Sequence, residues 1–259
     1  MLDVSKARRV FHSGQPDEKI ALDGLDLKLD TGDFAVVIGS NGAGKSTLLN
    51  AISGALTLDS GKVFINGADV TSIPVHRRAI HVARVFQDPM KGTAATMTVA
   101  ENMLLAELRH NPARLRRGLT KDRRDFYAEQ LSYLHLGMEN RLDTVVSTLS
   151  GGQRQSLSLV MAVSGTPALL LPHEHTAALD PRPADLVMDA TIRAVTALKL
   201  TTLMVTHNMK HAVDCGNRVV MLDSGKVRFE LTGEAKRTAT VADLVSHFSV
   251  KTDRMLLGA

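Results

Sequence analysis

Residues 39–47 read Gly39-Ser40-Asn41-Gly42-Ala43-Gly44-Lys45-Ser46-Thr47. Two glycines with four residues between them, followed by Lys and a hydroxyl residue, make the pattern of a phosphate-binding loop. The flanks agree with it. Phe34-Ala35-Val36-Val37-Ile38 is an apolar, branched run of buried-strand length, and Leu48, Leu49 and Ile52 recur at helical spacing beyond the loop. A strand therefore feeds a loop that opens a helix, so that backbone N–H groups and the helix N-terminus converge on an anion. Glycine supplies the dihedrals that turn those N–H groups inward. Lys45 is expected to reach the terminal phosphates, and Ser46 is the hydroxyl expected on a magnesium ion. A plain glycine-rich turn would not require the strand, the helix, the Lys and the hydroxyl to coincide. The expected ligand is a nucleoside triphosphate.

A chain of 259 residues is long enough to bury a full core, as one large domain or a domain with an insertion. Aromatic residues make up 3% and there is no Trp, which leaves few platforms for stacking bases and argues against nucleic acid as a partner. The formal charge of +4 suits an anionic nucleotide or a membrane surface without demanding either. Cys215 is the sole cysteine, so no intrachain disulfide forms and a reducing compartment is expected. No apolar run approaches the roughly 20 residues of a spanning helix. Asp3, Lys6, Arg8 and Arg9 stand where a signal peptide would be apolar. If the protein serves a membrane, another chain is expected to cross it.

In chain order, Leu25, Leu27 and Leu29 alternate with Asp26, Lys28 and Asp30, which predicts an N-terminal antiparallel layer with one wet face. Ile80 to Phe86 is strand-like and ends at Gln87, an amide that either reaches the magnesium ion or third phosphate or is an ordinary loop residue. From about Met90 to Ser164 the texture is helical, with Leu104, Leu105 and Leu108, then Phe126, Leu131 and Leu134. An inserted helical subdomain over about 90–164 follows. Its basic cluster of Arg114, Arg116, Arg117, Lys121, Arg123 and Arg124 suits nucleic acid or lipid headgroups, but with no aromatic residues interleaved it reads first as a solvated face. Leu149-Ser150-Gly151-Gly152-Gln153 opens a helix with a favoured Ser cap, and this is a second helix start suited to phosphate.

Ala168-Leu169-Leu170-Leu171 is a short buried strand that meets Pro172, His173, Glu174 and His175. Glu174 is placed to orient a water for attack on a phosphate. Asp180-Pro181 starts an amphipathic helix around Leu186, Ala190, Ala197 and Leu198, and the strand Thr202 to Thr206 ends at His207. A last helix is expected from about Val241 to Phe248, capped by Thr240. Strands alternating with helices predict an α/β fold with a mainly parallel sheet. Ligands bind beyond the carboxyl ends of such strands, where Gly39, Gln87, Glu174 and His207 all fall.

Taken in order, these motifs resemble the ATPase subunits of ABC transporters over nearly the whole chain. Residues 39–47 resemble the family's Walker A loop, Gln87 its Q-loop, Leu149 to Gln153 the L-S-G-G-Q signature, and Glu174 the catalytic carboxylate after Walker B. Ala178-Leu179-Asp180 resembles the D-loop, His207 the switch histidine, and Phe11 the variable aromatic that stacks on adenine. The resemblance implies a single ATPase domain over residues 1–259: a P-loop NTPase core, an N-terminal antiparallel β layer and an inserted α-helical subdomain. It implies ATP and magnesium as ligands, with Ser46 and Gln87 on the metal. It further implies a head-to-tail homodimer, each ATP lying between one copy's loop and the other copy's Ser150, Gly151, Gly152 and Gln153. Closure then drives a membrane permease, supplied by a solute-binding protein, from the cytoplasmic face of the membrane, and hydrolysis resets it. The runs Val85 to Thr93 and Glu174 to Pro181 resemble bacterial importers of tryptophan, tyrosine or related small solutes. A clamp on nucleic acid or ribosome is the alternative use of such an ATPase, but it usually brings two ATPase halves or a long coiled-coil insertion, and this chain carries neither.

One position departs from the resemblance. Where the family's Walker B strand ends in Asp, this chain has His173, preceded by Pro172 in place of an apolar residue. In the family that Asp holds waters on the magnesium ion and bonds the Walker A hydroxyl, and losing such support costs roughly 10–100-fold in metal affinity or activity. Hydrolysis is therefore expected to be reduced rather than absent, since Lys45, Ser46, Gln87, Glu174 and His207 remain; a subunit that binds ATP without turning it over is the alternative. His173 and His175 together do not make the H-E-x-x-H spacing of a zinc site. Pro172 removes a backbone N–H, which a strand tolerates only at its end.

Overall fold

The structure is a computed structural model that describes residues 1–109, 118–133, 135 and 137–246. Arg114, Arg116, Arg117, Leu134 and Phe248, used in the sequence reading, lie outside the described residues. The N-terminal strands are β1 (Leu2–Phe11) and β2 (Lys19–Leu29), and β3 (Phe34–Gly39) runs into the phosphate loop. After the loop come β4 (Ser60–Ile65), β5 (Ala68–Asp69) and β6 (Val82–Val85). The later strands are β7 (Leu169–Pro172), β8 (Thr201–Val205), β9 (Arg218–Asp223) and β10 (Lys226–Thr232).

The strands form two sheets. A 4-stranded antiparallel sheet has the order β2-β1-β4-β5, and its alternation is the expected one: Leu25, Leu27 and Leu29 are buried while Asp26 and Lys28 are exposed. The 6-stranded sheet has the order β10-β9-β3-β8-β7-β6, parallel throughout except for β10 against β9. Every residue of β3, β7 and β8 is buried, as a strand covered on both faces requires. The architecture is the α/β class expected.

Pro172 leaves a visible mark on this sheet. β7 pairs with β8 at Leu169 and Leu170, the ladder then lapses, and it resumes as a lone bridge between His173 and Val205. The gap spans the proline, whose missing N–H is one the ladder would have used. Beyond it, the His173 N–H donates to the Val85 carbonyl and the Glu174 N–H to the Val205 carbonyl, each at 2.9 Å. Both side chains are thereby fixed at the sheet's carboxyl edge.

The helices are α1 (Lys45–Ser53), α2 (Val75–Arg78), α3 (Val99–Glu107), α4 (Lys121–Ser132), α5 (Gly151–Val163), α6 (Pro181–Leu198), α7 (Met209–Asp214) and α8 (Gly233–Thr238). Residues 241–246 are also helical, and the Asp243 N–H donates to Thr240 Oγ1, the expected cap. Helices α3, α4 and α5 share one hydrophobic core with the sheet: Met103, Tyr127, Leu131 and Leu157 pack in the same cluster as Val36, Ile38 and Val85. In α4 it is Tyr127 that is buried, not Phe126, which is 46% exposed. The Tyr127 hydroxyl donates to Glu107, which also pairs with Arg123, while Arg124 pairs with Asp143. Arg123 of the basic cluster thus ties α4 to α3, while Arg124 ties α4 to the loop at Asp143.

The phase of α6 also corrects the sequence reading. Ala190 is buried as expected, but Leu186, Ala197 and Leu198 are exposed, and the buried stripe is Val187, Met188, Ala190, Thr191 and Val195. Among the described residues no helix is long and apolar enough to cross a membrane.

The phosphate-loop helix α1 is closed at its far end by Arg78. This nearly buried guanidinium donates to the Ala51 and Ile52 carbonyls at 2.8 and 2.9 Å and to those of Ile73 and Thr71 at 2.7 Å each. A cation on the last carbonyls complements the helix dipole and satisfies acceptors that have no partner within the helix. Replacing Arg78 with Ala leaves several carbonyls unpaired in the interior and is predicted to lower stability by about 2–4 kcal/mol, readable as a shift of the urea unfolding midpoint.

Candidate functional site

The loop after β3 depends on glycine at two places. A side chain at Gly39 (φ 152) would place its Cβ 2.4 Å from the Leu222 carbonyl oxygen, and one at Gly44 (φ 103) would place it 2.4 Å from that of Ala21. Both contacts are with backbone that cannot move aside, so the loop is pressed between β9 and β2. Lys45, at the first turn of α1, donates to the Gly39 and Ser40 carbonyls at 2.8 and 2.9 Å. Burial pushes its pKa down while the Glu174 carboxylate opposes that shift. The ammonium therefore spans its own loop, beside the place where the loop N–H groups would receive phosphate.

A cleft of about 180 Å³ opens over this loop, from Asn41 to Thr47, and its walls include Phe11, Lys19, Glu174 and His207. Phe11 ends β1 and Lys19 begins β2, so the antiparallel sheet furnishes one wall and the parallel sheet's carboxyl edge the other. Lys19 was not singled out from sequence, where it reads as the end of a polar turn. Its ammonium lies 3.2 Å from where a Cβ on Gly42 would stand, which makes it a second cation over the loop. A lone Lys ahead of an alternating strand carries no signal for this placement.

On the opposite wall, Glu174 Oε1 lies 2.6 Å from His207 Nε2. Glu174 adopts φ 47, a left-handed conformation that costs a non-glycine residue roughly 1–3 kcal/mol and clusters at functional sites. The strain and the imidazole together aim its carboxylate into the cleft. His173 Nε2 is hydrogen-bonded to Ser46 Oγ at 3.0 Å. Burial pushes the His173 pKa down, and Arg84, Lys45 and His207 push the same way against the pull of Glu174. The ring is accordingly neutral near pH 7. The donor set does not fit a magnesium site built from hard oxygens on both sides, because Ser46 supplies a hydroxyl and the position facing it supplies a nitrogen.

His175 is not part of this edge. It is buried and pushed down to about 4 by desolvation, with Nε2 at 2.9 Å from Thr191 Oγ1, whose hydroxyl donates to the Val187 carbonyl. The His175 ring N–H must then donate to Thr191. Among the described residues no group of three or more His, Cys, Asp and Glu could hold a metal ion.

Of the residues selected from sequence, Gly39, Ser40, Ala43 and His173 adjoin the cleft without lining it, and Gln87, Asp180 and the turn from Ser150 to Gln153 also lie outside its lining. Gln87 is exposed two residues beyond β6. The preceding Phe86 carbonyl accepts from Gln155 Nε2 at 2.9 Å, so a fully buried amide on α5 ties the start of the Gln87 loop to the signature helix. Gln155 was also missed from sequence, where it is one polar residue in a helix. Ser150 is exposed and caps α5 reciprocally: its Oγ accepts from the Gln153 N–H at 3.3 Å and its own N–H donates to Gln153 Oε1 at 3.1 Å. A Cβ on Gly151 or Gly152 would stand 3.2 Å from Leu179 or 3.1 Å from Pro183, so the segment around Asp180 packs on the start of α5.

Comparison with known proteins agrees with this arrangement. Residues 22–177 match the ABC transporter family. The chain is 38% identical to a tyrosine transport ATP-binding protein of Clostridioides difficile, over 96% of this chain and 98% of that one. It is 32% identical to a probable branched-chain amino acid transport ATP-binding protein of Archaeoglobus fulgidus, over 86% and 89%. Among solved structures it is similar to a dimeric ATP-binding cassette in a post-hydrolysis state bound to ADP and phosphate, with a TM-score of 0.76, 25% identity, and 90% and 98% of the two chains covered.

Replacing Gly44 with Ala is predicted to weaken binding of a fluorescent ATP analogue about 10- to 100-fold, the equivalent of roughly 1–3 kcal/mol of backbone strain, with the far-ultraviolet circular dichroism unchanged. Unaltered affinity would mean that the loop does not hold the nucleotide.

Proposed function

The chain belongs to the ABC transporter family, and on that premise we propose that it is the ATP-binding and ATP-hydrolysing subunit that powers a bacterial importer through head-to-tail closure of two copies. The observation that supports this reading is the separation of two helix starts suited to phosphate. The loop and Lys45 line one cleft, while the exposed Ser150 cap opens onto another surface. A second copy turned head to tail completes each cleft with a signature helix, and charge-assisted bonds from both chains to one phosphate then make binding and closure a single event.

In this reading residues 40–47 cradle the phosphates, Lys45 transfers its bonds from the Gly39 and Ser40 carbonyls to the terminal phosphate, and Phe11 stacks on the adenine. Glu174 orients the attacking water, with His207 holding its carboxylate. Gln87 and Asp180 relay closure, the first through Gln155 and α5, the second through its neighbour Leu179, which packs on Gly151. The whole chain, 1–259, acts as one ATPase domain, with residues of about 90–164 as its helical insertion. The names of its relatives support an amino acid as the class of imported solute. The partners are a membrane permease, which this subunit joins peripherally at the cytoplasmic face, and through it a solute-binding protein.

The contact between Ser46 and His173 favours reduced turnover over the family's ordinary rate. A neutral imidazole replaces the fixed negative charge expected beside the Ser46 hydroxyl, so the magnesium expected at Ser46 and Gln87 is held poorly. His173→Asp is predicted to raise phosphate release about 10- to 100-fold at saturating ATP and magnesium. Equal rates from the two proteins would contradict this assignment.

A further inference from the structure

We infer that Lys19 is a phosphate-binding residue of the nucleotide cleft, a second cation that the antiparallel sheet contributes to the triphosphate alongside Lys45. The inference rests on the reading of the cleft as an ATP site. Lys19 lines that cleft together with Phe11, Ala21 and the loop. In the ladder between β1 and β2 it stands directly across from Phe11. Residues paired in this way in an antiparallel ladder present their side chains on the same face, about 5 Å apart. The ring that stacks on adenine and the ammonium are therefore delivered as one unit, and a nucleotide with its base on Phe11 and its phosphates on the loop comes within reach of Lys19.

The ammonium is placed for a ligand rather than for solvent. A strand-end lysine held only by water extends away from the sheet, but Lys19 Nζ and Cε lie 3.2 and 3.9 Å from the place a Cβ on Gly42 would occupy. Gly42 adopts φ 84, and its missing side chain leaves the ammonium room over the loop. Two residues on, the Ala21 carbonyl oxygen packs against Gly44, so β2 tracks the loop over both glycines. The charge is not neutralised within the protein. Among the described residues no carboxylate lies in ion-pair range of Lys19, whereas Lys28 on the same strand pairs with Asp3 and Lys226 pairs with Asp23. The two acids that precede it are engaged in their own turn, Asp17 with His12 and Glu18 with the Gly14 N–H at 2.7 Å. Glu174, the one carboxylate among the described residues that line the cleft, is taken by His207 at 2.6 Å. An unpaired ammonium over a loop whose N–H groups receive phosphate is complementary to a polyanion.

The test titrates the full chain with a fluorescent ATP analogue. Lys19 is exposed, so Lys19→Gln leaves the core untouched. This variant is expected to bind the analogue about tenfold more weakly at low salt, the size of one charge-assisted contact, while Lys19→Arg stays within about threefold of the parent. The gap between the parent and Lys19→Gln should narrow as salt is raised from about 0.05 to about 0.5 M, since one charge separates them. Inorganic triphosphate has no base to stack, and its affinity, read by competition, should fall by the same factor in Lys19→Gln. Unchanged affinity in Lys19→Gln, an equally weak Lys19→Arg, or a loss confined to the ligand that carries a base would each overturn the inference and leave the ATP reading standing. No binding of the analogue by the parent would overturn both.

Discussion

The parallel register of β3, β8, β7 and β6 is the constraint on which the rest depends. Hydrogen bonding sets Val37 beside Val205, Leu170 beside Thr202 and Val85 beside Pro172, so four consecutive strands in space end along one line. Residues far apart in the chain, from the loop after Gly39 to Gln87, His173, Glu174 and His207, emerge at that line without any local sequence reason to meet. Parallel strands need crossovers, and the crossovers supply the helices: α1 leaves the line with its N-terminus at the cleft, and Arg78 closes its other end. The cleft is thus a by-product of sheet order, and the antiparallel sheet completes it with Phe11 and Lys19.

At this edge Pro172 and His173 act together. The proline interrupts the ladder between β7 and β8 at the last point where a strand can lose a bond cheaply, and the chain recovers its pairing at once through His173 and Glu174. The edge therefore keeps its shape while its chemistry changes: the group facing Ser46 is a nitrogen base rather than a carboxylate. The carboxylate that remains, Glu174, is held by backbone strain and by His207, independently of His173. The Lys45 contacts with its own loop and the pairing of Glu174 with His207 are thus in place without any contribution from His173.

Much of this was legible in the sequence because its signals are local. A strand, a glycine loop and a helix within residues 34–52, and a Ser cap with Gln153 three residues on, each announce a shape that forms from neighbours. The alternation of β2 and the buried run of β3 likewise follow from side-chain pattern alone. What escaped was set by distant contacts. Lys19 enters the cleft only because β2 lies against the loop, and Gln155 matters only because α5 passes the Phe86 carbonyl. The phase of α6 was misread because exposed Leu186 and Leu198 look like core residues until the sheet selects Val187, Ala190 and Val195. Tyr127 displaced Phe126 for the same reason, with Glu107 waiting to accept its hydroxyl.

The central claim is that one chain holds half of each nucleotide site. Sedimentation velocity of a Glu174→Gln variant, in which water attack is disabled while the phosphate grip is kept, tests it most directly. The account predicts a monomer without nucleotide and a dimer on addition of ATP, reverting when ATP is removed. A chain that remains monomeric while saturated with ATP would contradict it.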